Sequence, residues 1–233
     1  MSEYLIQSGT LTAIADAIRD KTGESGQIAP EDMPDKISNI GPDGRLSAVL
    51  DGTITELTTD VETITEYALY QRPALTAVHA PNCTYAANSA FNKCAALAVL
   101  DMPQLYSTGN YTFTGCTALT QVVLPNLWHP LNSAFSSCSN LQKADIGGTQ
   151  PKTDFYSNCF KDCAALDTLI VRGAQIGFIN SNSLEGTAIA AGNGYIYVPA
   201  ALVDSYKQET NWTLYAEQIR AIEDYPDITG GAV

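Results

Sequence analysis

The sequence predicts an α+β repeat fold, a solenoid whose coils lay short strands side by side in a parallel sheet. Three observations predict it: an apolar anchor that recurs, a ladder of leucines after each anchor, and a proline closing the ladder. The anchors Leu69, Phe91, Phe113, Phe135, Phe160 and Leu184 are separated by 22, 22, 22, 25 and 24 residues. Self-similarity at a period of this size marks stacked units. No unit is long enough to bury its own apolar face, so stacking against neighbours must offset the entropy of ordering it, and the outermost units must be atypical. Leu69 and Leu184, standing where the inner units carry phenylalanine, are such ends.

Residues 1–41 differ from the rest and predict a short helical module. Leu11, Ile14, Ala15 and Ile18 lie at helical spacing behind a cap at Ser8 or Thr10, with Gly23 as the stop. A second helix starts near Pro30-Glu31-Asp32, placing proline and acids in its first turn and Met33, Ile37 and Ile40 on one face. Two such helices make too small a core to stand alone. They are expected to pack on the solenoid, on copies of themselves or on a partner, so attachment or oligomerisation is the expected role. Ile40-Gly41-Pro42-Asp43-Gly44 reads as a linker.

The solenoid is expected over residues 46–199, with capping strands between Leu46 and Ile64. Its fullest copies read Ala90-Phe91-Asn92-Lys93-Cys94-Ala95-Ala96-Leu97, then Leu100, Met102 and Pro103, and Phe113-Thr114-Gly115-Cys116-Thr117-Ala118-Leu119, then Val122, Leu124 and Pro125. The period-two finish of each copy reads as a short strand closed by proline. Residues 200–233 complete the chain as a helical cap and tail. Leu202, Val203 and Tyr206, then Tyr215, Ile219 and Ile222, have helical spacing, which predicts helices over 200–207 and 214–222 that hide the last sheet edge. Asp224 to Val233 is expected to fray.

The spacing F-x-x-C-x-x-L-x-x-L-x-L-P resembles the BspA-type leucine-rich repeat, common in surface and prophage proteins of gut and oral bacteria. The resemblance covers residues 46–222, with a lead-in at Leu50-Asp51-Gly52-Thr53-Ile54 and a close at Tyr195-Ile196-Tyr197-Val198-Pro199 and Asn211-Trp212. It implies a leucine-rich-repeat solenoid and says little of function. Ser8-Gly9-Thr10-Leu11 through Glu31-Asp32-Met33-Pro34 is similar to a leader on tail-associated proteins of phages and prophages of Gram-positive gut bacteria. An ordinary helical cap for the solenoid is the other reading of that stretch.

Twenty-five acids against twelve bases give a net charge of −13. Binding a phosphate backbone needs clustered Lys and Arg that release counterions, so neither nucleic acid nor an anionic membrane is an expected partner. The longest apolar stretch, Ala95 to Leu100, is far too short to cross a bilayer. The start, Met1-Ser2-Glu3-Tyr4, lacks the basic and apolar runs of a secretory signal.

The six cysteines follow the repeat. Cys94, Cys116, Cys138 and Cys163 sit three residues after an anchoring Phe, Cys159 shares a slot with Ala68, Ala90 and Ala134, and Cys83 shares one with Leu105 and Leu127. A slot shared with Ala or Leu is a packing slot, so a buried, reduced cysteine ladder is expected rather than disulfides or a metal site. No cofactor is expected. Neither a phosphate loop, G-x-S-x-G, H-E-x-x-H nor a calcium loop occurs, and the two histidines lie fifty residues apart.

Binding candidates come from strand alternation. If Leu100 and Met102 point inward, His79, Asp101, Val123, Asp145, Ile170 and Tyr197 form one outward column, and Ala77, Val99, Gln121, Lys143, Thr168 and Tyr195 a second. Asp101 and Asp145 would lie about 10 Å apart, just beyond the range of about 6.5–9.5 Å that an inverting glycosidase needs. The longer connections place Tyr106, Tyr111, Trp128 and Tyr156, together with Tyr85, His129 and Phe155, near one edge as further binding candidates.

The expectation is therefore a non-enzymatic binding or structural protein. The resemblances imply a phage or prophage tail assembled in the bacterial cytoplasm, residues 1–41 meeting other tail proteins or another copy, and repeats meeting a host-surface protein or glycan. A bacterial cell-surface adhesin or protein-interaction module is the main alternative, and a tailspike-like glycosidase the remote one.

Overall fold

The first four coils each run from a strand, through a turn, to a second and shorter strand, and then around an apolar anchor. A computed structural model describes residues 55–149 and 151–229. The expected helical leader at 1–41, the linker, residues 46–54 of the first cap and residues 230–233 lie outside the described residues. In chain order the strands are β1 (Glu56–Thr58), β2 (Thr63–Ile64), β3 (Ala77–His79), β4 (Tyr85–Ala86), β5 (Val99–Asp101), β6 (Ser107–Thr108), β7 (Gln121–Leu124), β8 (His129–Pro130), β9 (Lys143–Ile146), β10 (Thr168–Val171), β11 (Tyr195–Val198) and β12 (Ile219–Ala221).

All their pairings are parallel, as the one-directional winding of coils requires. The sheet expected from the leucine ladder is divided into β1-β3-β5 and β12-β11-β10-β9-β7. Register steps by one repeat, with Val78 opposite Leu100, and Val122, Ala144, Leu169 and Ile196 successively opposite one another. The ladder is interrupted between β5 and β7. There the coils are joined instead through their turns, as where Phe91 N donates to Thr112 O at 2.9 Å and Ala118 N to Ala95 O at 3.0 Å.

A second sheet, β2-β4-β6-β8, occupies the stretch read from sequence as connecting loop. Its strands are two residues long, below what alternation can reveal. Their support is lateral: Asn110 N donates to Asn88 Oδ1 at 2.8 Å, Asn132 Nδ2 to Asn110 Oδ1 at 2.9 Å, and Ser157 N to Asn132 Oδ1 at 3.2 Å. These asparagines sit three residues before successive anchors, so this ladder was present in the repeat alignment.

The third side is the anchor column. Phe91, Phe113, Phe135 and Phe160 stack with ring centroids 5.1, 5.2 and 5.3 Å apart and planes within 15° of parallel. Left-handed residues flank each anchor two positions away, namely Ser89 and Lys93, Tyr111 and Gly115, Ser133 and Ser137, and Asn158 and Asp162. For a residue with a Cβ that conformation costs roughly 1–2 kcal/mol. The amides it orients repay the cost in a ladder, since Phe113 N donates to Ala134 O and Phe160 N to Ser183 O at 2.8 Å.

All six cysteines are buried free thiols. Cys94, Cys116, Cys138 and Cys163 Sγ donate to the carbonyls of Leu69, Phe91, Phe113 and Phe135 at 3.0–3.2 Å. The slot thus asks for a small apolar group with a weak donor.

The α+β description and the helical C-terminal cap need correction. Among the described residues the fold is a β-solenoid, and its one α-helix is the single turn α1 (Val203–Tyr206), preceded by a 3-10 turn at Ala200–Leu202. Trp212–Gln218 is a 3-10 run kinked at Tyr215. Where a helix was expected over 214–222, β12 pairs with β11, so that Ile219, Arg220 and Ala221 face Ile196, Tyr197 and Val198. An isolated short helix is marginal, whereas the open edge of β11 offers a ready row of main-chain partners. Tertiary pairing overrides the helical spacing of Tyr215, Ile219 and Ile222.

Candidate functional site

Strand registration places the predicted outward columns as rows on the first face. His79 lies opposite Asp101, Val123 opposite Asp145, Asp145 opposite Ile170, and Ile170 opposite Tyr197. In the second column Ala77 lies opposite Val99, Gln121 opposite Lys143, Lys143 opposite Thr168, and Thr168 opposite Tyr195. The interruption between β5 and β7 separates Asp101 from Val123 and Val99 from Gln121.

The first column is open only as far as Val123. Val99 and Val123 are 47% and 53% exposed, and Asp101 and Gln121 are exposed beside them. Asp145, Ile170 and Tyr197, expected on the same open surface, are buried. Against this part of the face lies the C-terminal segment, which forms 3-10 turns at Ile222–Asp224 and Pro226–Thr229 instead of fraying. The Tyr225 ring packs edge-on against Tyr197 at 5.2 Å, and the Ile228 carbonyl accepts from Lys143 Nζ.

On the same face Arg172 holds Asp145. Its Nε and Nη2 donate to the two carboxylate oxygens at 2.6 and 2.7 Å, and that hydrogen bonding raises the guanidinium above its ordinary range. With both oxygens occupied, Asp145 is not free to act as a general acid or base. Asp101 instead meets His79, Nδ1 to Oδ2 at 3.2 Å, on the exposed part of the face. The two carboxylates of the glycosidase reading thus have separate partners.

The second sheet carries the other candidates. Tyr106 and Trp128 immediately precede β6 and β8, so parallel pairing brings them side by side, with ring centroids 5.4 Å apart. Trp128 meets His129 at 4.2 Å, His129 meets Tyr156 at 6.0 Å, and Tyr156 meets Phe178 at 4.9 Å. Five rings from successive coils therefore form one row along the solenoid. Tyr106 and Phe178 are 38% and 44% exposed, and the rings between them are half-buried. Burial lowers the His129 pKa against the pull of Asp154. At neutral pH its ring is uncharged, and the row is aromatic rather than cationic.

Of the seven loop rings expected near this edge, Tyr106, Trp128, His129 and Tyr156 belong to the row, whereas Phe155 is buried in the core. Tyr111 is not in the row: it occupies a left-handed turn position, φ 58°, and no ring contact joins it to the row among the described residues. Phe178 was missed. It stands before the leucine anchor Leu184, outside the stretches between proline-ended strands and phenylalanine anchors that supplied the candidates.

Beside Phe178 lies an open groove of about 350 Å³, bounded by Lys152, Gly177, Glu209 and Asn211. Lys152 pairs with the buried carboxylate of Asp154 at 3.0 Å. No cluster of three or more metal-ligating side chains occurs among the described residues, and none of their helices is long and apolar enough to cross a membrane.

Comparison with known proteins agrees with this architecture. No curated protein matches the sequence. Among solved structures, a leucine-rich repeat protein of T. pallidum shares 21% identity over 66% of this chain and 68% of its own, with a TM-score of 0.51, which shows a common fold. A leucine-rich repeat protein from Bacteroides ovatus shares 19% identity over 64% of this chain, with a TM-score of 0.45. This chain spans 44% of the length of that protein. Residues 51–167, half of the chain, match the BspA type leucine rich repeat region in six copies. The stacked anchors, the registered strands and this match have one conclusion: the chain belongs to the BspA-type leucine-rich repeat family.

Proposed function

We propose that this protein is a non-enzymatic binding module whose repeats attach a phage or prophage tail to its host's surface. The observation that carries the binding role is the row from Tyr106 to Phe178. Large aromatic groups half-exposed along a rigid scaffold give contact area at little cost in side-chain entropy, and repeat proteins present such extended faces to partners. The uncharged row and the net charge of −13 suit a protein or glycan rather than an anionic polymer. The engagement of Asp145 by Arg172 counts against the glycosidase reading.

The tail setting, with other tail proteins or a second copy meeting residues 1–41, is supported by the resemblance of that leader. A cell-surface adhesin or protein-interaction module is the second reading. It is favoured by the row's lying entirely within the repeats, which would serve a surface protein equally well. Co-sedimentation of the full chain with intact gut bacteria tests the binding role: saturable binding to some species supports it, and absence of binding to every species overturns it. Finding the protein in purified phage or prophage particles supports the tail, whereas finding it only on the bacterial envelope supports the adhesin.

A further inference from the structure

The groove at Phe178 is built rather than incidental. Trp212 Nε1 donates to Gly177 O at 2.8 Å and Asn211 Nδ2 to Ile179 O at 2.9 Å, fastening the turn 209–212 onto the loop 176–179. Phe178 N donates to Asp154 Oδ1 at 3.0 Å, and the same buried carboxylate holds Lys152. A Cβ on Gly177 would lie 1.8 Å from Thr153 O, so the loop is pressed directly against the preceding coil. Every wall is therefore held in place before any ligand arrives, which lowers the entropy cost of binding.

Its chemistry is selective. Glu209 uses Oε1 to accept from Thr210 N at 2.9 Å, and Asn211 spends its amide nitrogen on Ile179, which leaves the second carboxylate oxygen and the amide oxygen as acceptors on residues that line the groove. Lys152 is matched by Asp154 and adds no free positive charge. The complementary ligand offers several hydroxyl donors on one side and an apolar C–H face for the exposed Phe178 ring on the other. A volume of about 350 Å³ is at the small end of ligand pockets, enough for a sugar ring or two. An extended peptide would instead seek a free strand edge, and none of the groove's bounding residues lies in a strand.

We infer that this groove binds a neutral oligosaccharide, one sugar stacking on Phe178 with hydroxyls on Glu209 and Asn211, and the chain continuing over Tyr156 toward Trp128. The inference rests on the binding role proposed above and supplies its ligand class.

Calorimetric titration of the full chain with neutral tetrasaccharides built from glucose, mannose, galactose or N-acetylglucosamine tests it. At least one should bind with Kd below about 1 mM. Phe178→Ala should weaken that binding about tenfold or more, and Glu209→Gln several-fold, with melting temperatures unchanged. No binding by any of the four sugars overturns the inference, as does binding that survives both substitutions. Sedimentation with cells separates the two claims. A protein that binds cells, takes up no tetrasaccharide and is indifferent to Phe178→Ala refutes the groove and leaves the binding role standing; one that binds neither cells nor sugars refutes both.

Discussion

The thiol of Cys116 donates to the carbonyl of Phe91, one coil earlier, at 3.2 Å. The same bond recurs down the column from Cys94 to Cys163, so a weak donor and a small apolar volume are used together four times. Serine would supply the donor without the polarizable packing, and alanine the packing without the donor. Because each bond crosses between coils, the column fastens successive repeats where their anchor rings already stack.

The thiols should resist both alkylation and ionisation. Burial raises Cys94 to about 11 from an ordinary value of 9.0, and raises Cys116, Cys138 and Cys159 well above it. The folded state keeps these protons at pH values where the unfolded chain has lost them. Their contribution is fully present below about pH 9 and is lost as the pH climbs toward 11, at up to about 1.4 kcal/mol per pH unit for each thiol. Melting in reducing buffer should show a constant Tm from pH 6 to 8 and a steep fall above 9. A Tm that holds through pH 11, or fewer than six thiols in unreduced denaturant, would contradict the ladder.

Phe113→Ala removes the ring that stacks on both Phe91 and Phe135. It should cost about 3–5 kcal/mol by urea denaturation, the usual loss for a buried aromatic. A loss under about 1 kcal/mol would show that the anchor column contributes little.

Asp145 and Arg172 should behave as a coupled pair. Arg172→Leu leaves a nearly buried carboxylate without its partner and should cost about 3 kcal/mol, toward the low end for a buried pair because the arginine is partly exposed. Adding Asp145→Leu should restore most of that loss. If the double variant is no more stable than the single one, the pair is not coupled as its geometry implies.

The C-terminal segment should act as a cover. Deleting residues 222–233 removes Tyr225 from Tyr197 and the Ile228 carbonyl from Lys143. Binding of a hydrophobic dye should rise while the far-ultraviolet circular dichroism stays that of the intact chain. Unchanged dye binding would mean that Ile170 and Tyr197 are protected by something else.

Much of this architecture was legible because a repeat reports each slot several times. A phenylalanine at 91, 113, 135 and 160 followed by cysteine at 94, 116, 138 and 163 identifies inward positions without any estimate of propensity. The strand registers followed from the same period. What escaped was whatever occurs once or is too short to alternate. β12 competes with a helical pattern and wins through pairing with β11, which no local window contains. Arg172 and Tyr225 reach the outward face from outside the columns, so Asp145, Ile170 and Tyr197 could not be recognised as covered from their own strands. Phe178 stood before a leucine rather than a phenylalanine anchor. The asparagines 88, 110 and 132 were in plain view, but their side chains pair laterally and leave no hydrophobic signature.

Sedimentation of three full-length proteins with a bacterial species that binds the wild type tests the central claim most directly. One is the wild type, one carries Tyr106→Ser, Tyr156→Ser and Phe178→Ser on the aromatic row, and one carries Val99→Ser and Val123→Ser on the open sheet face. The row variant should bind at least about tenfold more weakly, while the sheet-face variant should match the wild type. Full binding by the row variant together with loss in the sheet-face variant would contradict the assignment and move the binding surface to the first sheet.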